Sequence, residues 1–476
     1  MSKSKNTKVT SKKSILPMEK DMEKEESNPP VMSKKLKSVI ENTDDSVITK
    51  AFKRIINLYL ENLPKFTENT TPELEVRFGT KKIKSITKID FYNVIKSLMN
   101  FGFTLNKENY SLKIILDNES SNIRTEINGL PNIQYYCKYN SVDGIEDINN
   151  ISFLEKNYFE YKESKIYPLD FDEHNFRLSF QVEDKYNISD EKIRGLINKW
   201  SSTKKIFRYI KRFEYTNKLF PFSVHLSIVK TSKVIGGKLI PQFNIKDSDV
   251  FNSLEHYEIE IECNNTQVGL DTNFETGIFL YDLFKKLIKY ILIGFQQTNF
   301  PVSLTEQNET LYKYLKIVKG DDYDDTKKYS SKDFIGPSST TLQMNNLIPE
   351  EEINETNDSI PNIRRNYTVT DKADGSRKLL FINDKGRIYL ITTNMKIEFT
   401  GCYTENKEIF NTIIDGEHIL NNKNMEYINL FACFDIYFIN NKNITMLPFI
   451  NVEEVIKEKK EKKKTEEDLD KDMDKD

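Results

Sequence analysis

The sequence predicts an α+β protein: a largely antiparallel sheet closed into a β-tunnel with packed helices, followed by a second α+β domain. Three observations carry this. Between Glu73 and Asn264 the chain is dominated by short stretches rich in β-branched and aromatic residues, about eight strands in all. The outermost of them, "ELEVRFG" and "YEIEIE", alternate charged and apolar residues, so each strand has one charged and one apolar face. After a charged segment, a second series of strand-like runs begins near Phe334.

Residues 1–45 are rich in Lys, Ser, Glu and Asn and lack aromatic residues, so they are expected to form a disordered basic N-terminus. From Ser46, "SVITKAFKRIINLYLENL" spaces its apolar residues as one amphipathic helix stopped by Pro64. The expected strands are "TPELEVRFGT", "NIRTEI", "IQYYCKYN", "YFEYKESKIY", "FRLSFQVEDKY", "IFRYIKRFEYTN", "FSVHLSIVKT" and "HYEIEIEC", interrupted by helices from Ile89 to Phe101 and from Ser189 to Trp200. Two further helices, "FETGIFLYDLFKKLIKYILIGFQQ" and "TEQNETLYKYLKIV", close a first domain spanning 46–318. Residues 319–333 have the composition of a linker. A second domain, 334–452, carries "YTVTDKADGSRKLLFIN", "GRIYLITT", "TIIDGEHIL" and "NLFACFDIYFI". Blocks of like charge make 453–476 a charged tail.

Composition excludes several classes. With 70 basic and 73 acidic residues the net charge is −3, so any claim on nucleic acid rests on local patches. No apolar run approaches the ~20 residues of a membrane span, and the basic N-terminus lacks the apolar segment of a secretory signal, so an intracellular protein is expected. Cys137, Cys263, Cys402 and Cys433 lie far apart without a CxxC, and His174, His225, His256 and His418 show no zinc spacing. A metal is therefore expected on carboxylates, which select a hard ion such as Mg²⁺ or Mn²⁺.

The charged faces are the informative feature. Glu73, Glu75 and Arg77 share one face, and Glu258, Glu260 and Glu262 share another. Between them lie Arg124 with Glu126, Arg177 with Ser179, Gln181 and Glu183, and Arg208 with Arg212 and Glu214. The ordinary source of alternating charge is the solvated outer face of an antiparallel sheet. Like-signed carboxylates two apart on two separate strands repel one another, and a plain surface has no reason to collect them. A closed barrel with apolar side chains outward and a charged lumen explains the pattern, with a divalent ion on the glutamates and a polyphosphate on the cations.

On these residues the first domain resembles the tunnel-fold metal-dependent triphosphatases, most closely the RNA triphosphatase module of large-DNA-virus mRNA capping enzymes. "ELEVRFG" resembles that family's first glutamate motif and "YEIEIE" its last. The resemblance implies that Glu73, Glu75, Glu258, Glu260 and Glu262 hold Mg²⁺ or Mn²⁺, with Glu73, Glu75 and Glu260 catalytic. It implies phosphate binding by Arg77, Arg124, Arg177, Arg208, Lys211 and Arg212, with Lys138, Lys162 and Lys230 as further cations. His225 stands where the family often has an acidic residue. Hydrolysis of a γ-phosphate redistributes negative charge, so it needs a metal, several cations and a positioned water rather than a protein nucleophile.

In the second domain, "TDKADGSR" contains Lys372, Asp374, Gly375 and Arg377. A K-x-D-G alone is most often a Lys-Asp pair beside a turn glycine. A lysine acts as a nucleophile only when part of its population is neutral. Followed in order by "IIDGEHI" and "FACFDIYFI", the motif resembles those of covalent mRNA guanylyltransferases. The resemblance implies that Lys372 attacks the α-phosphate of GTP and carries GMP as a phosphoramidate. It further implies GTP binding by Lys372, Asp374, Gly375, Arg377, Glu417 and Phe434, with Asp415 beside Glu417. Polynucleotide ligases share these motifs, and the upstream triphosphatase resemblance favours capping.

Two departures bear on this. Thr392 and Thr393 stand where such enzymes often carry an arginine, and no later nucleotidyltransferase motif follows; the single tryptophan is Trp200. The second domain is thus expected to be the N-terminal part of a guanylyltransferase. The implied partners are 5′-triphosphate RNA and GTP, with no membrane; the rest of the guanylyltransferase and a cap methyltransferase would come either from a second polypeptide or from a longer chain of which this sequence is a fragment. The implied location is the host cytoplasm or the virion. Two other readings stay open: a tunnel-fold polyphosphatase or nucleoside triphosphatase, and a noncatalytic RNA-binding assembly subunit. Clustered glutamates argue against the last, because they weaken simple binding to phosphate.

Overall fold

The computed structural model describes residues 45–79, 85–117, 122–145, 150–269, 272–320, 323–324, 328–355, 359–365 and 367–448. The expected disordered N-terminus, Asp45 aside, and the expected charged tail lie outside these residues. The chain divides into Met1–Ala51 and Phe52–Asp476. Of the first unit only the opening of the helix Asp45–Asn62 is described, and everything below concerns the second.

Alternating sequence produces the strands β1 (Thr70–Phe78), β2 (Thr104–Leu116), β3 (Arg124–Asn128), β4 (Ile151–Tyr158), β5 (Glu160–Tyr161), β6 (Ser164–Lys165), β7 (Leu169–Phe171), β8 (Phe176–Tyr186), β9 (Lys205–Thr216), β10 (Phe222–Thr231), β11 (Val234–Ile235), β12 (Lys238–Leu239) and β13 (His256–Cys263). Nine of them form one antiparallel sheet, eight in the order β1-β13-β10-β9-β2-β3-β4-β8 with β8 returning to pair with β1, and the short β7 added to β8. The sheet is therefore a closed barrel, in which side chains must alternate between lumen and outer face.

The outer face is apolar. Leu74, Val76, Leu178, Phe180, Val224, Leu226, Ile259 and Ile261 are buried together with Phe52, Ile56 and Tyr59 of the first helix, Phe91, Val94 and Leu98 of the helix Lys88–Asn100, and Phe284, Leu287 and Ile291 of the helix Gly277–Gln296. Each such side chain contributes roughly 1.5–3 kcal/mol when fully buried. The two later helices pack so closely that a Cβ on Gly294 would come within 2.7 Å of the Val94 Cα. A second cluster, with Leu112, Ile114, Ile127, Phe153 and Phe207, lies against Tyr136 and Trp200.

Two of the eight expected strands are different elements. "IQYYCKYN" belongs to the helix Leu130–Tyr139, entered from Gly129 at φ 86° with Pro131 in its first turn, where the missing N–H costs no hydrogen bond. "YFEYKESKIY" supplies the end of β4 and the β5–β6 hairpin, which pairs only with itself. Their places in the barrel are taken by β2 and β4. The first five residues of β2 are exposed and polar apart from Leu105, which hides its strand pattern.

The second sheet runs β16-β15-β14-β17-β18-β19, with β14 (Ser376–Ile382), β15 (Arg387–Thr392), β16 (Ile397–Tyr403), β17 (Thr412–Asn421), β18 (Tyr427–Ile439) and β19 (Lys442–Asn443). The expected run from Tyr367 becomes a strand only at Ser376. The helix Leu304–Lys319, placed by sequence in the first domain, sends Leu311, Tyr314 and Leu315 into the core of this sheet beside Leu379, Phe381, Ile391 and Ile413. Part of the expected linker is also tied down: Lys319 pairs with Asp333 at 2.6 Å, and the Tyr314 hydroxyl donates to the Asp333 carbonyl at 2.9 Å. Packing thus joins 304–319 to the second sheet.

Candidate functional site

Closure of the barrel brings the two glutamate stripes together. Across β1 and β13, Glu75 stands opposite Glu262 and Arg77 opposite Glu260. Across β10 and β13, His225 stands opposite Glu260 and Ser227 opposite Glu258. Arg212 and Arg208 on β9 face Ser227 and Thr231, and Lys113 on β2 faces Glu126 on β3. The enclosed lumen is a cavity of about 400 Å³ lined by seven carboxylates and six cations, the latter being Arg77, Lys113, Arg124, Lys156, Arg208 and Arg212.

These groups pair within the lumen. Arg77 lies 2.6 Å from Glu260 and 3.6 Å from Glu258, Arg212 lies 3.6 Å from Glu260, and Arg208 pairs with Glu258. Lys113 meets Glu126 at 3.1 Å, Arg124 meets Glu183 at 2.9 Å, and His225 Nδ1 lies 3.1 Å from Glu262. Lys156 lies 2.5 Å from Glu73 and 3.4 Å from Glu75, whose Oε1 also accepts the Ser179 hydroxyl at 3.0 Å.

The two acidic stripes differ electrostatically. Burial pushes the Glu73 carboxyl up, Lys156 pulls it back, and Glu75 and Glu262 add to the rise, leaving it at about 7. Burial acts upward on Glu260 too, but Arg77 and Arg212 prevail and hold it at about 2. Glu73 and Glu75 share one lysine, whereas Glu260 has two arginines.

Five expected phosphate-binding cations lie elsewhere. Lys211 has the opposite parity to Arg212, so it points outward and pairs with Glu108 at 2.9 Å. Arg177 turns toward β7 and is held by Asp170 through hydrogen bonds of 2.6 and 3.0 Å. Lys138 ends the helix Leu130–Tyr139, Lys162 sits in the β5–β6 turn at φ 49°, and Lys230 donates to the Phe251 carbonyl at 2.9 Å. Sequence reasoning missed Lys113 and Lys156 because it missed the strands that carry them. A lysine at period two within "SLKII" was the available signal for Lys113.

Among the described residues, no three Asp, Glu, His or Cys side chains are grouped so as to hold a metal ion as they stand. Glu258 and Glu260, expected as ligands, are engaged by arginines. The remaining donors suit a hard divalent ion chemically: Glu73, Glu75 and Glu262 are neighbouring carboxylates, and the first two have a single lysine between them.

Ahead of β14, Lys372 is exposed, with its Nζ 3.5 Å from the Ala373 carbonyl, and Asp374 is exposed beside it. Gly375 lies so close to β17 that a Cβ would meet the His418 carbonyl at 2.7 Å. Arg377 stands opposite Glu417 but has the parity of Leu379 and Phe381, which turns it toward the core. There it donates to Asp415 at 3.1 and 2.6 Å and to the Pro337 carbonyl at 2.6 Å, and lies 5.6 Å from the Phe334 ring centroid. The Tyr437 hydroxyl donates to the same, fully buried Asp415. The guanidinium expected on nucleotide is thus engaged by the protein. Glu417 Oε2 is buried without a hydrogen-bond partner among the described residues. Phe434 is half-buried at the bulge where β18 shifts register against β17.

Residues 360–475 match the family model "mRNA capping enzyme, catalytic domain". A probable mRNA-capping enzyme of Acanthamoeba polyphaga mimivirus is 27% identical over 259 residues, which cover 54% of this chain and 17% of that protein. The matched part therefore spans about a sixth of that relative. Among solved structures, the S. pombe Pct1 RNA triphosphatase aligns with a TM-score of 0.30 at 12% identity, covering 50% of this chain and 91% of that one. The PH1012 protein of Pyrococcus horikoshii OT3 aligns at 0.23 with 11% identity, covering 45% and 89%. By its family match and its mimivirus relative, the chain is similar to the mRNA capping enzymes of large DNA viruses.

Proposed function

We propose that the barrel removes the γ-phosphate from 5′-triphosphate RNA with Mg²⁺ or Mn²⁺, and that the second domain transfers GMP from GTP through Lys372 once the remaining guanylyltransferase motifs are supplied, by a longer chain or by a second polypeptide. The observation that carries the first step is the closed lumen, whose inner wall holds six cations and seven carboxylates within about 400 Å³. Arg77, Arg208 and Arg212 bind and orient a triphosphate chain against the strand wall. Glu73, Glu75 and Glu262 hold the divalent ion, which when bound neutralises charge on the phosphate oxygens. A glutamate outside the set that holds the ion takes the proton of the attacking water.

The capping reading over free nucleotide or polyphosphate rests on the second domain, where the family match and the K-x-D-G motif lie. The reading places the reaction in a virus-infected host cell, with a cap methyltransferase acting downstream. Release of γ-labelled phosphate from triphosphate RNA, with unlabelled nucleoside triphosphate or tripolyphosphate as competitor, tests it. Preference for RNA and loss of release in Glu73→Ala and Glu260→Ala support it. Unchanged release in both variants refutes the assignment of catalysis to those residues.

A further inference from the structure

Lys156 extends on the lumen side from β4, past the intervening β8, to the acidic stripe of β1, 2.5 Å from Glu73 and 3.4 Å from Glu75, with its side chain only 19% exposed. No other cation is paired with these two carboxylates among the described residues. On its own strand register Lys156 stands opposite Glu183, which Arg124 already holds at 2.9 Å. Its ammonium therefore balances the glutamates that the metal reading assigns to a divalent ion. An ammonium and a divalent ion on the same pair of carboxylates repel strongly at such separations in a poorly solvated lumen.

We infer that Lys156 is an internal counter-ion of the acidic stripe, which a divalent metal ion displaces and which then joins the cations available to the phosphate chain. The inference rests on the metal reading proposed above. It gives Lys156 two opposed effects. As a competitor it weakens metal binding in the absence of substrate, and as a released cation it strengthens triphosphate binding once metal is present. A residue with a merely structural role weakens both when it is replaced.

The test uses the full chain. Mn²⁺ binding without nucleotide or RNA is followed by the paramagnetic resonance signal of free Mn²⁺, and tripolyphosphate binding at saturating Mn²⁺ by calorimetry. Lys156→Met is expected to bind Mn²⁺ about tenfold more tightly and tripolyphosphate about tenfold more weakly than the wild type. Lys156→Arg, which keeps the charge, is expected to bind Mn²⁺ as the wild type does. Equal or weaker Mn²⁺ binding by Lys156→Met, with the wild type binding normally, overturns this inference alone. Absence of Mn²⁺ binding in both overturns the metal reading as well. If Lys156→Met does not fold, amine-labelling mass spectrometry on the wild type decides: Mn²⁺ should raise the reactivity of Lys156 several-fold, and unchanged reactivity overturns the inference.

Discussion

Arg77 and Glu260 stand directly opposite each other across β1 and β13 and close an ion pair of 2.6 Å inside the barrel. One residue comes from the first barrel strand in the chain and the other from the last, so the pair forms only when these two distant strands meet. Glu260→Gln leaves Arg77 and Arg212 without their shared carboxylate. Phosphate release is expected to fall about a hundredfold. Stability is expected to fall by about 2 kcal/mol, toward the low end for a broken buried pair because Arg77 is 44% exposed. The sign of the pH dependence follows from a folded value of about 2 against an ordinary 4.5. The contribution is fully present above 4.5 and is lost as pH falls through about 2, so urea titrations of variant and wild type should converge in acid.

Glu73 behaves in the opposite sense. Its folded value of about 7 lies above the ordinary 4.5, so its contribution is present below 4.5 and is lost as pH rises through about 7. Without divalent metal, wild-type stability should decline across that window with a slope of up to about 1.4 kcal/mol per pH unit. Glu73→Gln should remove the slope. Urea unfolding at several pH values from 5 to about 8 measures it.

Strand parity makes neighbouring cations unequal. Arg212 lies in the lumen near Glu260, and Lys211, one residue earlier, pairs outside with Glu108. Arg212→Met is expected to weaken tripolyphosphate inhibition of phosphate release by about tenfold, and Lys211→Met by less than about twofold. Equal effects would contradict the inward and outward placement.

How far the sequence disclosed the site follows from the same parity. Period-two alternation puts Glu73, Glu75 and Arg77 on one face and Glu258, Glu260 and Glu262 on another, and the repetition of like charge on two strands points both faces into the lumen, where they lie, with the opposite faces buried and apolar. Lys156 escaped because it sits in the polar second half of β4, and Lys113 because the exposed, polar start of β2 hides a strand whose later half does alternate Leu112, Ile114 and Leu116 into the core. "IQYYCKYN" misled because aromatic residues favour strands, while Gly129 and Pro131 set up a helix that buries Ile133 and Tyr136 on one side. Around the second sheet the K-x-D-G motif is local, but the engagement of Arg377 by Asp415, Tyr437 and Pro337 arises from segments far apart in the chain. No spacing in the sequence encodes that contact.

The Arg377–Asp415 pair is expected to hold the second sheet together. Asp415 is fully buried, accepts from two groups, and lies beneath the Phe334–Pro337 segment that also binds the guanidinium. Asp415→Ala strands a partly buried guanidinium and a tyrosine hydroxyl, with an expected cost of about 3 kcal/mol. Protease sensitivity should rise in the second sheet, while phosphate release by the barrel changes little.

The last prediction concerns Lys372, whose side chain is exposed on a segment preceding β14, while the arginine of its motif is engaged elsewhere. Covalent transfer requires the amine to be held in line with an α-phosphate, and a misplacement of about 1 Å costs on the order of a hundredfold in rate. Incubation with α-labelled GTP and Mg²⁺ or Mn²⁺, followed by denaturing electrophoresis, is therefore expected to leave the isolated chain unlabelled, the same as Lys372→Ala. Phosphate release from triphosphate RNA should be equal in the two, because the barrel does not use this lysine. A band retained by the wild type and lost in Lys372→Ala would show instead that this short sheet positions GTP unaided and that both capping steps reside in one chain.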